Sequence, residues 1–295
     1  MEENKGKNIE KRSNFSDKIA SLIVYISYSK NKTLVYVLSL TVIGFILRLI
    51  SALNMNVLAD DMLYASQSAG IISSNILSTH SNPPLFFYLT DLVYKLFGYT
   101  TLASRFWPLI FGTLLIPLSY LITRKFFNEK VSILAALFVT FSTFLIKLTY
   151  TEQSLVVLFF SILGIYLGLD YIDKEKPATF YLSAVMFGLA LLTKYSAPFF
   201  ILSFLIFAPV YAKFKNKKFY SRKNFKHIFT FLIILIVFSA PFLVFNYLIY
   251  KDKGIVDVYF SRIVKLNSTQ EFYQGLAGQE RSFFDNIKSL NSYAS

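Results

Sequence analysis

Apolar runs long enough to cross a bilayer recur from residue 33 onward, and no other feature constrains the fold of this chain as tightly. The first, "TLVYVLSLTVIGFILRLISAL" (33–53), holds one charge, Arg48. A hydrocarbon core takes roughly 20 such residues per helix, and within it every backbone N–H and C=O must find its partner in the protein. Further runs lie near 104–123, 131–149, 153–170, 178–194, 196–212 and 228–250. The chain is 55% hydrophobic and 16% charged, with 32 Phe and 20 Tyr, a balance that soluble domains rarely reach. The expected fold is an all-α polytopic membrane protein, a bundle of about seven spans in the lipid bilayer of the cell membrane. Cysteine is absent, which excludes disulfides, thiol nucleophiles and zinc–thiolate sites.

Charge placement orients the bundle. The net charge of +13 does not call for nucleic acid, because Lys and Arg collect in the cytoplasmic loops of membrane proteins. One stretch decides the orientation: "PPLFFYLTDLVYKLFGY" (83–99), apolar but short and interrupted by Asp91 and Lys95. If it spans, the basic loops 123–130 and 211–227 fall outside, against the positive-inside bias. If it is a juxtamembrane or re-entrant helix on the outer face, residues 1–32, 123–130, 173–176 and 211–227 all fall inside. Those segments hold 19 of the 30 Lys and Arg, so the second arrangement is expected. It divides the chain into a cytoplasmic segment 1–32, a transmembrane core 33–250 with an outer loop 54–103, and an extracytoplasmic tail 251–295. Within the first segment Phe15, Ile19, Leu22, Ile23 and Ile26 recur at helical spacing. They suit either an interfacial helix on the inner leaflet or a short solvated lead-in.

Several ionisable groups, far apart in sequence, then meet on the outer face. Burying such a group at the bilayer centre costs roughly 2.5–3.5 kcal/mol, so they belong where water, a partner or a substrate reaches them. In "NVLADDMLYASQSAG" (56–70), Asp60 and Asp61 would point about 100° apart on a helix and could not both aim at one substrate atom. Tyr64 and Gln67 continue the face of Asp60. The acid pair suits either a helix N-terminus or the edge of an active site. His80 precedes Asn82–Pro83–Pro84, a helix-opening sequence. A solitary His usually bonds within its loop, and a divalent cation held by Asp60, His80 and Glu152 is weakly signalled. Arg105, before Trp107, suits a snorkelling anchor. Glu152 tops the turn in "KLTYTEQSL", and Lys194 ends "FGLALLTKYS". Arg48, more than a turn inside its run, calls for an acidic partner such as Asp60.

Taken in order, "FILRLI…ADDMLYASQSAG…THSNPPLFFYLTDLVYKLFG…ASRFWPLIFG…GLALLTKYSA" resembles the polytopic GT-C glycosyltransferases. More narrowly it is similar to the protein O-mannosyltransferase and aminoarabinose-transferase group (glycosyltransferase family 39-like), over roughly residues 33–212. The resemblance implies a GT-C-like core that moves a sugar from a polyprenyl (dolichyl) phosphate carrier to an acceptor hydroxyl of a protein Ser/Thr or a glycolipid. Transfer would occur on the extracytoplasmic face with inversion. Asp60 would be the catalytic base and Asp61 its neighbour, a base being typically worth 10²–10⁴-fold. Arg105 and Lys194 are the cations available to the departing phosphate, leaving Tyr64, His80, Glu152 and Arg48 to position substrates. Members of the group carry more spans and often an outer soluble domain. The chain is therefore expected to be a minimal catalytic core, or to take its missing helices from a membrane partner. Two other classes stay open: a non-catalytic homologue that binds lipid-linked sugar or assists a partner enzyme, and a transporter, which would show repeats and broken spans.

Overall fold

The computed structural model describes residues 32–74, 82–150, 152–217, 219 and 222–266. The helix expected within 15–26, His80 and the tail beyond 266 lie outside the described residues. In chain order the helices are α1 (Lys32–Asn54), α2 (Ala59–Ser68), α3 (Ile71–Ser74), α4 (Leu85–Phe97), α5 (Thr101–Ser104), α6 (Phe106–Thr123), α7 (Glu129–Phe141), α8 (Thr143–Lys147), α9 (Ser154–Lys174), α10 (Pro177–Leu191), α11 (Ala197–Phe214), α12 (Arg222–Lys253) and α13 (Val258–Val264). Helices α1, α6, α9 and α11, together with residues 224–253 of α12, are long and apolar enough to cross a membrane. The other two expected spans are helical but shorter: α10 has 15 residues, and the run 131–149 is split into α7 and α8.

The split has a local cause. Ser142 leaves the helical region, and its hydroxyl accepts the Leu145 N–H at 3.3 Å, which caps α8. At the end of α7 the Val139 carbonyl accepts from Arg48 Nη2 at 2.9 Å instead. Arg48 Nη1 bonds the Gly44 carbonyl, one turn back on α1, at 3.1 Å. The acidic partner expected for Arg48 is therefore not what the fold provides. The guanidinium is fully buried against carbonyl oxygens, while Asp60 is exposed on α2. Its space comes from two glycines. A Cβ on Gly44 would lie 3.0 Å from Nη1 and 2.1 Å from Ile116 Cδ1, and one on Gly112 would lie 3.4 Å from Nε. That absence of side chains lets α1 and α6 close around the cation.

Of the apolar clusters that hold the bundle, two are the largest, and a smaller one of Leu40, Ile116 and Ala136 joins α1, α6 and α7. Leu169, Phe180, Phe187, Phe204 and Phe231 join α9, α10, α11 and α12. Tyr64, Phe86, Phe87, Val156, Val157 and Ala197 join α2 and α4 to the starts of α9 and α11. Helix α4, from the stretch that decides the topology, is amphipathic. It buries Phe86, Phe87, Thr90, Asp91, Val93 and Tyr94 and exposes Leu92, Lys95, Leu96 and Phe97. Asp91, the acid that interrupts this run, accepts the backbone N–H groups of Gly70 at 2.9 Å and Ile72 at 3.1 Å, so it ties α3 to α4. The Leu85 N–H bonds the Leu192 carbonyl at 3.1 Å and pins the start of α4 to the turn after α10.

The bundle has two unlike ends. At one, Lys125 bridges Asp170 at 2.6 Å and Asp173 at 2.8 Å, Lys174 pairs with Asp170 at 3.0 Å, and the Tyr211 hydroxyl donates to Asp173 at 2.9 Å. Lys217 donates to the Ile172 and Asp173 carbonyls, so the ends of α6, α9 and α11 are bound together. The other end gathers the C-terminus of α1, the start of α6, the turn before α9 and the turn between α10 and α11.

Candidate active site

Helix α1 ends with orphan carbonyls, as every helix does, and Arg105 satisfies them. Its Nη1 donates to the carbonyls of Ala52 at 2.7 Å and Met55 at 3.1 Å, and Nη2 to that of Asn56 at 3.3 Å. The same guanidinium grips Asp61 with two prongs, Nη2 to Oδ2 at 2.8 Å and Nε to Oδ1 at 3.3 Å. All five N–H groups are thus engaged, and the side chain is fully buried. Arg105 is neither a snorkelling anchor nor a cation with a donor left for phosphate; it is the clamp that closes α1 onto α2.

Asp61 is the other half of that clamp. Besides Arg105 it accepts the Leu58 N–H at 3.0 Å, reaching back from the third helical position to the N-cap backbone. The helix-end reading of the acid pair therefore describes Asp61. Asp60, one residue earlier, is exposed and carries no hydrogen bond or ion pair among the described residues. The buried stripe of α2 runs through Asp61, Tyr64 and Ser68. Tyr64 consequently does not share an open face with Asp60, as the four-residue spacing predicts; its ring packs against Phe87 at 6.0 Å between centroids.

A second constellation comes from the turn ahead of α9. Glu152 is buried, forms an ion pair with Lys194, and accepts the Ser154 N–H at 2.6 Å. Lys194 also donates to the Ser154 hydroxyl at 2.9 Å, and its side chain keeps 27% of its surface exposed. Among the described residues two of the three ammonium protons are used, and the third faces the exposed part of the side chain. Tyr150 links the two constellations. Burial, followed by the negative charges of Glu152, Asp60 and Asp61, pushes its phenol up to about 12. One hydroxyl thus lies within electrostatic reach of all three carboxylates. Thr149 and Gln153, on either side, are fully buried, and their side-chain polar atoms have no partner among the described residues.

Beside Asp61 a cavity of about 320 Å³ opens between α2, α4 and α5, bounded by Val57, Met62, Ala65, Tyr94 and Tyr99. Among the described residues no group of three or more His, Asp and Glu could hold a metal ion, and both Glu152 oxygens are engaged. Sequence reasoning passed over Tyr150, and also Tyr195, Asn246 and Asp257 beside Lys194. A buried Asn within the apolar run "PFLVFNYLIY" was the available signal.

Residues 81–245 match the family model described as dolichyl-phosphate-mannose-protein mannosyltransferase. An uncharacterized protein of Aquifex aeolicus (strain VF5) is 30% identical over 129 residues, which is 43% of this chain and 26% of that protein. Two solved structures share the fold. The Saccharomyces cerevisiae protein O-mannosyltransferase Pmt1-Pmt2 complex, bound to its sugar donor, gives a TM-score of 0.56 at 18% identity, over 82% of this chain and 37% of that one. ArnT from Cupriavidus metallidurans, bound to undecaprenyl phosphate, gives 0.53 at 17% identity, over 77% and 42%. The chain therefore spans less than half the length of the proteins it resembles. Its fold is that of the GT-C membrane glycosyltransferases, and the chain is an integral membrane protein that belongs to the dolichyl-phosphate-mannose-protein mannosyltransferase family.

Proposed function

We propose that this chain carries the catalytic half-site of a glycosyltransferase that moves a sugar from a polyprenyl phosphate carrier to an acceptor hydroxyl. The observation that carries the reading is the division of labour between adjacent acids: Asp61 is sealed under Arg105, and Asp60 is left exposed beside it. A general base must reach the acceptor proton, and only the exposed carboxylate of the pair can do so. Asp60 takes that proton as the hydroxyl oxygen attacks the anomeric carbon, the carbon–phosphate oxygen bond breaks, and the polyprenyl phosphate leaves with the electron pair. Attack opposite the leaving group inverts the anomeric configuration.

The departing phosphate gains charge, and a cation aimed at it lowers the barrier. Lys194 serves this role, with Glu152 and Ser154 fixing its direction and one proton free. The cavity beside Asp61 supports an apolar approach for the carrier tail. The Thr149 hydroxyl and Gln153 amide have no partner among the described residues, each costing about 1–3 kcal/mol if left unmet, and so support a polar occupant near Glu152. His80 and a divalent cation stay in this reading only as contributors from outside the described residues. The positive-inside bias puts the site on the extracytoplasmic side, with 54–103 as the outer loop and 1–32 in the cytoplasm. Acceptors in this reading are protein or lipid hydroxyls.

The test uses membranes containing the protein, supplied with polyprenyl phosphates carrying a labelled sugar. Wild type should release label from the carrier to an acceptor. Asp60→Asn should abolish release while still binding the carrier, and equal release by both would remove Asp60 from the chemistry.

A further inference from the structure

Beside Lys194 lies a buried polar network that the proposed reaction does not use directly. The Tyr195 hydroxyl donates to Asp257 Oδ2. Asn246, on α12, donates to the same oxygen at 2.8 Å and accepts the Asp257 N–H at 2.9 Å. Asp257 Oδ1 accepts the Phe260 N–H at 2.9 Å, in the first turn of α13. Asp257 and Asn246 are 0% and 1% exposed. The Tyr195 ring packs edge-on against Phe242 at 6.2 Å, so its hydroxyl is aimed as well as bonded.

The four bonds join three separate pieces of chain: the turn between α10 and α11, the last turns of α12, and the segment that opens α13. The turn is short. The Lys194 N–H bonds the Ala190 carbonyl, and the Ala197 N–H bonds that of Lys194. Whatever fixes Tyr195 therefore fixes the backbone from which Lys194 projects. Glu152 and Ser154 hold the ammonium at the far end of the side chain. A lysine stem has four rotatable carbons and loses much freedom on ordering, so its head is well placed only if both ends are held.

We infer that Asp257, acting through Tyr195 and supported by Asn246, is a positioning device for Lys194: the segment after the last long helix sets where the phosphate-binding ammonium points. The inference rests on the reading of Lys194 as the phosphate cation. It adds that residues beyond α12 form part of the site, and that Tyr195 and Asp257 act on the carrier phosphate without touching it.

A double-mutant cycle tests this, using the full chain in lipid nanodiscs and sugar-free polyprenyl phosphate as the probe. Tyr195→Phe keeps the ring and removes one hydroxyl. In the wild-type background it should weaken carrier-phosphate binding roughly tenfold, the scale of a lost hydrogen bond to a charged group. In the Lys194→Met background it should change binding little, because nothing is left to position. Asp257→Asn, which keeps the volume, should behave in the same way and serves if Tyr195→Phe proves unstable by thermal unfolding. Equal losses in both backgrounds, or no loss in either, would overturn the positioning role while leaving Lys194 as the phosphate cation. Unchanged binding by Lys194→Met alone would instead remove that cation, and the inference with it.

Discussion

The two ends of the bundle spend their charges differently. At the lysine-rich end each carboxylate is matched or outnumbered by cations: Asp170 has Lys125 and Lys174, and Asp173 has Lys125, Lys215 and the Tyr211 hydroxyl. That end is a network of paired charges on the faces of α6, α9 and α11, with Lys174 and Lys215 still open to solvent. At the opposite end the pairing is selective. Asp61 and Glu152 are buried and matched, while their neighbourhood keeps an exposed Asp60 and a Lys194 with a proton to spare. The lesson is that ion pairs at a helix end do not by themselves mark a site. The informative group is the one left unmatched next to matched ones.

The sharpest way to break this contrast is Asp60→Asn. It should reduce transfer by about 10²–10⁴-fold and leave thermal unfolding where it was, since the carboxylate is exposed and makes no bond among the described residues. A comparable loss of stability would show that Asp60 is structural after all. Next in size, Asp61→Asn breaks a buried charge pair and should cost about 3–5 kcal/mol of stability, measured by denaturant unfolding in detergent. Its effect on transfer should follow from loosening α2. Should Asp61→Asn fold normally yet abolish transfer, the two acids would have to exchange roles.

At the lysine-rich end Lys125→Met should cost about 1–3 kcal/mol and leave transfer unchanged. A selective loss of transfer would mean that the ends are coupled. The smallest effect is on alkaline stability. Burial alone would lower the Lys125 ammonium, but the bonds to Asp170 and Asp173 outweigh it and hold its pKa above the ordinary 10.5. A raised folded value favours the charged form, so this stabilisation is complete below 10.5 and disappears as pH climbs through the folded value. Wild type should therefore lose melting temperature above pH 10.5 more steeply than Lys125→Met. Parallel profiles would remove Lys125 from the account.

Much of this was legible in the residues, and the failures have physical reasons. Span-length runs betray membrane helices because lipid leaves the backbone no alternative, and five of the seven expected runs are long enough. The stretch 83–99, expected as a juxtamembrane or re-entrant helix, does hold a helix, Leu85–Phe97, and its one-sided burial is seen only in the structure. The partner expected for Arg48, Asp60, is not the one the fold provides, and Arg105 is spent on Asp61 and three carbonyls. Composition shows that a buried cation needs oxygen atoms, but not that carbonyls at a helix end or a helix break can supply them. Arg48 accordingly bonds Val139 and Gly44, whereas Asp61 goes to Arg105. The break at Ser142 was invisible for the same reason, since the run 131–149 stays apolar through it. Tyr195, Asn246 and Asp257 lie 51 and 11 residues apart, and periodicity within one helix says nothing about such triangles.

The Arg105 clamp also bears on how the molecule is made. The carbonyls of Ala52, Met55 and Asn56 and the carboxylate of Asp61 are all synthesised well before the guanidinium that satisfies them. During synthesis those oxygens therefore have only water to bond until the helix that carries Arg105 comes beside them. Helix α2, and with it the exposed acid, takes its final place only then. The chain acquires its candidate chemistry at the moment two spans meet, so a nascent first helix alone in the bilayer has the acid but not the site.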